Sequence, residues 1–283
     1  MTPEVLPMTA PVSSQQRAFR DFEHAGWKDV AGGYHDHFAS LTSQALGSLL
    51  DAAGVLEGAS LLDVCTGPGY GAAAAAERGA RATGMDFSPP MIAQASRHFP
   101  RSRFLVGDAE EMPFRKDCFD AVITNFGLLH LSRPEQFLRE ARRVLRPGGL
   151  VAFTVWAPPE EALGFGIVLH AVQERGNRAV ALPSGPPFFR FSDPSECLRT
   201  FRSAGFADAE VRRVPQLWRL KDADGLFQAM IAGTVRTGGL LRAQNPEALA
   251  AVRAAIRAAV ESHRHEGAFE LLMPAVLASA VKP

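Results

Sequence analysis

The run Leu61-Leu62-Asp63-Val64-Cys65-Thr66-Gly67-Pro68-Gly69-Tyr70-Gly71 passes from a short apolar strand directly into a glycine-rich turn. Without side chains, Gly67, Gly69 and Gly71 can take positive φ and let the backbone come close to a ligand. The alanine-rich residues 72–76 then open a helix whose unpaired N–H groups point at that ligand. The spacing is G-x-G-x-G, which departs from the G-x-G-x-x-G of dinucleotide-binding folds, and an acid, Asp63, stands four residues before the first glycine.

One polar residue recurs at the end of each following apolar run. Ala82-Thr83-Gly84-Met85 leads to Asp86, Phe104-Leu105-Val106-Gly107 to Asp108, and Ala121-Val122-Ile123-Thr124 to Asn125. Helical stretches lie between, at 88–98, where Pro89 and Pro90 suit a first turn, and at 134–145. Strands alternating with helices predict a parallel sheet, so the four polar ends fall on its carboxyl edge, where open α/β sheets bind ligands.

These residues resemble the class I S-adenosylmethionine-dependent methyltransferases, most closely the small-molecule branch of the ubiquinone and menaquinone biosynthesis enzymes. The resemblance covers residues 59–155. It rests on Asp63-Val64-Cys65-Thr66-Gly67-Pro68-Gly69, Gly84-Met85-Asp86-Phe87-Ser88, Gly107-Asp108-Ala109-Glu110, Asn125-Phe126-Gly127-Leu128-Leu129-His130 and Arg143-Val144-Leu145-Arg146-Pro147-Gly148-Gly149. Cys65 departs from the family, which usually has a glycine there.

The resemblance implies an α/β fold: a Rossmann-like, doubly wound, seven-stranded, mostly parallel sheet with helical lid insertions. It also implies S-adenosyl-L-methionine as cofactor and S-adenosyl-L-homocysteine as product. Asp63, Thr66, Gly67, Pro68 and Gly69 would hold the methionine moiety, Asp63 meeting its ammonium. Asp86 would accept both ribose hydroxyls and Asp108 the adenine amine, with the Ala109 N–H donating to a ring nitrogen. Phe87 and Met91 would flank the adenine, and Asn125 and Phe126 would close the crevice beside the sulfonium. An aspartate at a strand end can equally cap the next helix, and for Asn125 that reading stands beside the functional one.

Composition fits this class. The chain has 283 residues, 47% of them hydrophobic, and 30 basic residues balance 30 acidic ones. Zero net charge argues against a nucleic-acid partner. None of the four lysines follows the glycine loop, which excludes a triphosphate-binding loop of the G-K-[ST] kind. Cys65, Cys118 and Cys197 carry no CxxC spacing and read as reduced core thiols of a cytoplasmic protein. No apolar run approaches a membrane span, and oligomeric state is not legible.

Outside the core, residues 1–12 read as a disordered arm and 13–57 as a helical cover over the cofactor mouth. The cofactor core spans 58–156. A lid insertion at 157–191, a return to the core at 192–222, a helical cap at 223–265 and a last strand within 266–283 follow. The expected final strands are 209–214 and 273–281, antiparallel to each other. Tyr34 and Phe38, spaced i, i+4, share a helix face, and Tyr34 is a candidate for the site.

Methyl transfer is an in-line displacement, so the protein chiefly holds the acceptor and excludes water. A base is needed only for a protonated acceptor. His130, where the chain leaves a central strand, is the candidate, with Tyr34 second. His263 and His265, like His35 and His37, point apart at i, i+2 on a helix, and no metal site is expected. Asn125 is not followed by Pro-Pro-Tyr, which disfavours methylation of nucleobase or glutamine amines.

The expected acceptor is a small, mostly apolar or aromatic metabolite, methylated on carbon or oxygen. Phe165, Ile167, Val168, Leu169, Phe188, Phe189 and Phe191 in the lid, and Trp156 at a strand end, support this. Two rivals stay open: a protein that binds the cofactor without methyl transfer, and a nicotinamide-dependent oxidoreductase. Neither Tyr34 nor Tyr70 has the lysine four residues on that the second would use.

Overall fold

The apolar runs become strands and the capped segments between them helices. The computed structural model describes residues 12–177 and 179–283, so the expected arm, apart from Val12, lies outside the described residues. Three helices come first: α1 (Ser14–Asp29), α2 (Ala31–Thr42) and α3 (Leu46–Ala52). Ser13 opens α1 with a capping box, its hydroxyl accepting from the Gln16 N–H while the Gln16 side chain accepts from the Ser13 N–H.

The alternating core follows: β1 (Ser60–Val64), α4 (Tyr70–Glu77), β2 (Arg81–Asp86), α5 (Pro89–His98), β3 (Arg103–Val106), β4 (Phe119–Asn125), α6 (Pro134–Val144) and β5 (Leu145–Trp156). The C-terminal half carries α7 (Leu163–Arg175), α8 (Pro194–Ser203), β6 (Ala207–Val214), β7 (Leu217–Leu220), α9 (Gly225–Gly233), α10 (Arg236–Arg242), α11 (Pro246–Glu261), β8 (Arg264–His265), β9 (Ala268–Leu272) and β10 (Ala275–Val281).

Seven strands form one sheet in the order β3-β2-β1-β4-β5-β10-β6, and only β10 runs against its neighbours. The order reverses between β1 and β4, which opens a crevice above their carboxyl ends. This is the doubly wound, mostly parallel sheet expected from the sequence. Leu61, Leu62, Val122, Ile123, Val151 and Phe153 are fully buried, as central strands covered on both faces must be.

Several boundaries differ from expectation. β5 begins at Leu145, the last residue of the expected helical stretch 134–145, with a register shift against β4 between Phe119 and Ala121. The segment 223–265 is three helices, and His263 to His265 lie beyond the end of α11, His265 on β8. The segment 266–283 holds two strands, because β9 joins β7 and β8 in a separate three-stranded sheet. In β7, Trp218 and Leu220 are buried while Arg219 points outward, a period-2 pattern only four residues long. Cys118 is half-buried and only Cys197 is a core thiol; all three cysteines are free. Among the described residues no helix is long and apolar enough to cross a membrane.

α2 and α9 approach closely because both are small at the crossing. A methyl on Gly33 would stand 2.2 Å from the Ala232 carbonyl oxygen, and one on Gly233 would meet the Phe38 ring at 2.9 Å. Gly33→Ala is therefore expected to lower the unfolding free energy by about 1–3 kcal/mol, the cost of overpacking. At Gly32 an added methyl meets nothing within 4 Å, so Gly32→Ala should be neutral or stabilising by up to about 1 kcal/mol. Urea denaturation of both variants checks this, and equal effects would show that close approach is not why glycine stands at 33.

Candidate active site

The chain turns sharply where β1 ends. Cys65, Gly67 and Gly69 all have positive φ, at 55°, 52° and 93°, and Gly69 caps α4. Asp63, only 1% exposed, lies beneath the first turn of that helix. Its Oδ2 accepts from the Thr66 hydroxyl at 2.5 Å and the Ala72 N–H at 2.8 Å. A methyl on Gly71 would stand 2.6 Å from the same oxygen, so glycine is needed there.

Asp86 ends β2 beside it. One of its oxygens accepts from the Gly67 N–H and the other from the Ser88 N–H, each at 2.9 Å. Among the described residues, neither Asp63 nor Asp86 forms an ion pair with a cationic side chain. Burial pushes the Asp63 carboxyl up to about 7, against the pull of its Thr66 and Ala72 hydrogen bonds, and it raises Asp86 as well.

Both carboxyls open on a cleft of about 970 Å³, the open space at its mouth included. Thr66, Gly67 and Pro68 line it from the first loop, and Phe87 and Met91 from the β2–α5 turn. Asn125, Phe126 and His130 line it where β4 ends, and Tyr34 and Phe38 from α2. Phe126 has a φ of 58° and stacks on Trp156 with centroids 4.0 Å apart. Asn125 is pinned between its Nδ2 bond to the Thr42 carbonyl and the Thr154 hydroxyl donating to its Oδ1.

Three expected residues sit differently. Gly69 lies behind the wall, where a side chain would strike Phe104 and Ala95. Asp108 and Ala109 line a neighbouring cavity of about 440 Å³ that shares Phe87 and His130 with the first. The Asp108 carboxylate is engaged there by Arg20 at 2.6 Å and by the Glu110 N–H at 2.8 Å. Tyr34 donates to the Thr42 hydroxyl, and burial pushes its phenol up to about 12. It therefore stays protonated at neutral pH and forms a wall rather than supplying a base. Of the lid residues, Phe165 and Phe188 reach the cleft, whereas Val168 and Phe191 belong to the core.

The N-terminal helix supplies residues the sequence did not mark. Glu23, 2% exposed, accepts through Oε2 from the Trp27 indole at 3.1 Å, and His130 Nδ1 lies 3.0 Å from the same oxygen. A carboxylate only accepts, so Nδ1 carries the proton and Nε2 is left as the acceptor nitrogen. Trp27 also meets the His130 ring edge-on at 4.8 Å. Arg236, from the start of α10, also lines the cleft, its Nη1 3.4 Å from the carbonyl of Leu129, the residue before His130. Buried charge on an amphipathic helix gives no local signal; only the i, i+4 spacing of Phe19 with Glu23, and of Glu23 with Trp27, hinted at one inward face.

The profile of a methyltransferase domain matches residues 62–153. A demethylmenaquinone methyltransferase of Clavibacter sepedonicus is 32% identical over 171 residues, 56% of this chain and 69% of that protein. The chain belongs to the class I S-adenosylmethionine-dependent methyltransferase family. A demethylmenaquinone methyltransferase of Beutenbergia cavernae is 40% identical over 121 residues, 41% of this chain and 50% of that enzyme. The chain thus spans about half the length of that curated relative. The fold is also that of a Haemonchus contortus phosphoethanolamine N-methyltransferase bound to S-adenosylhomocysteine, with a TM-score of 0.58 and 20% identity over 98% of this chain and 61% of that one.

Within this methyltransferase fold, the buried acids predict a pH dependence. A carboxyl whose folded value lies near 7 and whose ordinary value is 3.8 favours the folded state below the lower value, and that support is lost as pH rises through the upper one. Between pH 5 and pH 8 the unfolding free energy should fall by on the order of 2 kcal/mol more in the parent than in Asp63→Asn. Urea titrations at the two pH values measure this, and parallel pH responses would remove Asp63 as the titrating group.

Proposed function

We propose that the protein binds S-adenosylmethionine in the cleft above β1 and β2 and transfers its methyl group to a small, mostly apolar or aromatic acceptor, at carbon or oxygen. The observation carrying this is the pair of buried carboxylates, Asp63 and Asp86, that face the cleft without a cationic partner. A cationic ligand compensates them. The donors and acceptors present suit the cofactor: Asp63 meets an ammonium, and the Asp86 oxygens keep free lone pairs for two hydroxyls. Phe87 and Met91 provide apolar faces for a purine, with Asp108 and Ala109 at its edge. The relatives' names support the same chemistry.

When bound, the cofactor supplies an electrophilic methyl on a sulfonium. Phe126, Trp156, Phe165 and Phe188 exclude water and hold a flat acceptor in line with it. His130, its Nδ1–H held by Glu23, accepts the acceptor's proton at Nε2. Glu23 is a positioning residue that fixes the tautomer.

Calorimetry is expected to show S-adenosylhomocysteine binding, no comparable binding of NAD, and loss of on the order of 1.5–3 kcal/mol in Asp86→Ala. In a radiolabelled methyl-transfer screen against cell extract, label should enter the organic-soluble fraction. On the acceptor so found, His130→Ala should lower kcat by about 10² with cofactor affinity unchanged. Glu23→Gln should move the pH profile of kcat/KM rather than cofactor affinity. Label in RNA or protein would overturn the acceptor class.

A further inference from the structure

The cleft also holds a cation whose hydrogen-bonding capacity is only partly used. Arg236 reaches from the start of α10 to the Pro186 carbonyl at 3.0 Å and the Leu129 carbonyl at 3.4 Å, both through Nη1. Its guanidinium lies between two rings, with Cζ 5.3 Å from the centroids of Phe19 and Phe188. Among the described residues it forms no ion pair, and neither Nε nor Nη2 has a hydrogen-bond partner. Glu23 is the acidic group whose charge reaches it, but the two form no ion pair: Glu23 Oε2 is committed to Trp27 and His130, and Oε1 is buried without a hydrogen-bond partner.

Burial with so little compensation pulls Arg236 below the usual arginine range. A half-buried guanidinium stays charged, so the unmet donors call for an anion. We propose that Arg236 anchors a carboxylate carried by the methyl acceptor, beside His130 in the same cleft; this rests on the methyltransferase reading above. A carboxylate fits better than a phosphate. The two free donor nitrogens form a planar fork that matches two coplanar oxygens, and among the described residues no lysine or second arginine lines the cleft to neutralise a dianion. Trp156, Phe165 and Phe188 then favour a planar ring between the carboxylate and the reacting atom.

The test uses matched pairs of carboxylate and amide: benzoate with benzamide, 4-hydroxybenzoate with 4-hydroxybenzamide, and indole-3-acetate with its amide. Binding to the whole protein is measured by calorimetry with and without saturating S-adenosylhomocysteine. At least one carboxylate should bind tenfold or more tightly than its amide. Arg236→Met should bring that pair within about twofold while leaving S-adenosylhomocysteine affinity within twofold, and Arg236→Lys should retain part of the preference. The thermal midpoint of ligand-free Arg236→Met should be no lower than the parent's, since a binding group is held at a cost to the empty fold.

No carboxylate preference in any pair overturns the assignment on the parent protein alone. So does a preference that survives in Arg236→Met, or a tenfold loss of S-adenosylhomocysteine affinity there, which would give Arg236 to the cofactor. Absence of S-adenosylhomocysteine binding to the parent would instead sink the cofactor reading, whatever the pairs show.

Discussion

The structure turns on one buried carboxylate at the end of a central strand. Asp63 takes up the hydroxyl of Thr66 and the N–H of Ala72, and so fastens the first loop to the first turn of α4. That geometry requires a residue without a side chain at Gly71 and positive φ at Gly67 and Gly69. It also requires the acid to remain out of water without a counterion, which opposes ionisation strongly. Ionised without a partner, such a group costs stability, which supports the proposal that it is kept for a cationic ligand.

The second constraint is how α1 is held over the sheet. Among the described residues two ion pairs involve this helix, and they differ in worth. Arg20 and Asp108 are 51% and 27% exposed, and a pair in that setting contributes about 0–1 kcal/mol. Glu23 and His130 are almost fully enclosed, and losing either partner there leaves a buried polar group unmet, at about 1–3 kcal/mol or more. The helix is therefore registered by Phe19 and Glu23, the only buried positions on its inward face. Registering α1 and orienting His130 are one interaction.

The half of the site made of local motifs was legible in the sequence, and the half made by packing was not. Asp63, Gly67, Asp86 and Phe87 stand within three residues of a strand end, where spacing alone assigns them to the carboxyl edge. Glu23 and His130 are 107 residues apart, as are Arg236 and the Leu129 carbonyl. No period or cap signals such meetings. The small β7-β9-β8 sheet was missed for a related reason: its strands are two to five residues long, and β7 pairs with β9 across the three intervening helices. Asp108 shows the limit of motif reading most plainly. Its place after β3 was read correctly, but the arginine that occupies its carboxylate comes from a helix whose position the sequence does not encode locally.

Ionisable groups of both signs gather in this cleft. The buried carboxyls Asp63 and Asp86 lie at the strand ends, and Arg236 lies on the capping helices close to the His130–Glu23 pair. These groups share a space also lined by Trp156, Phe165 and Phe188, and among the described residues Asp63, Asp86 and Arg236 form no ion pair with one another. In that low-polarity gap each charge acts with little screening on whatever enters. On the proposed reading, a cationic cofactor would settle against the strand-end carboxyls and an anionic acceptor against Arg236, so that charges already in the cleft would help to order the two reactants.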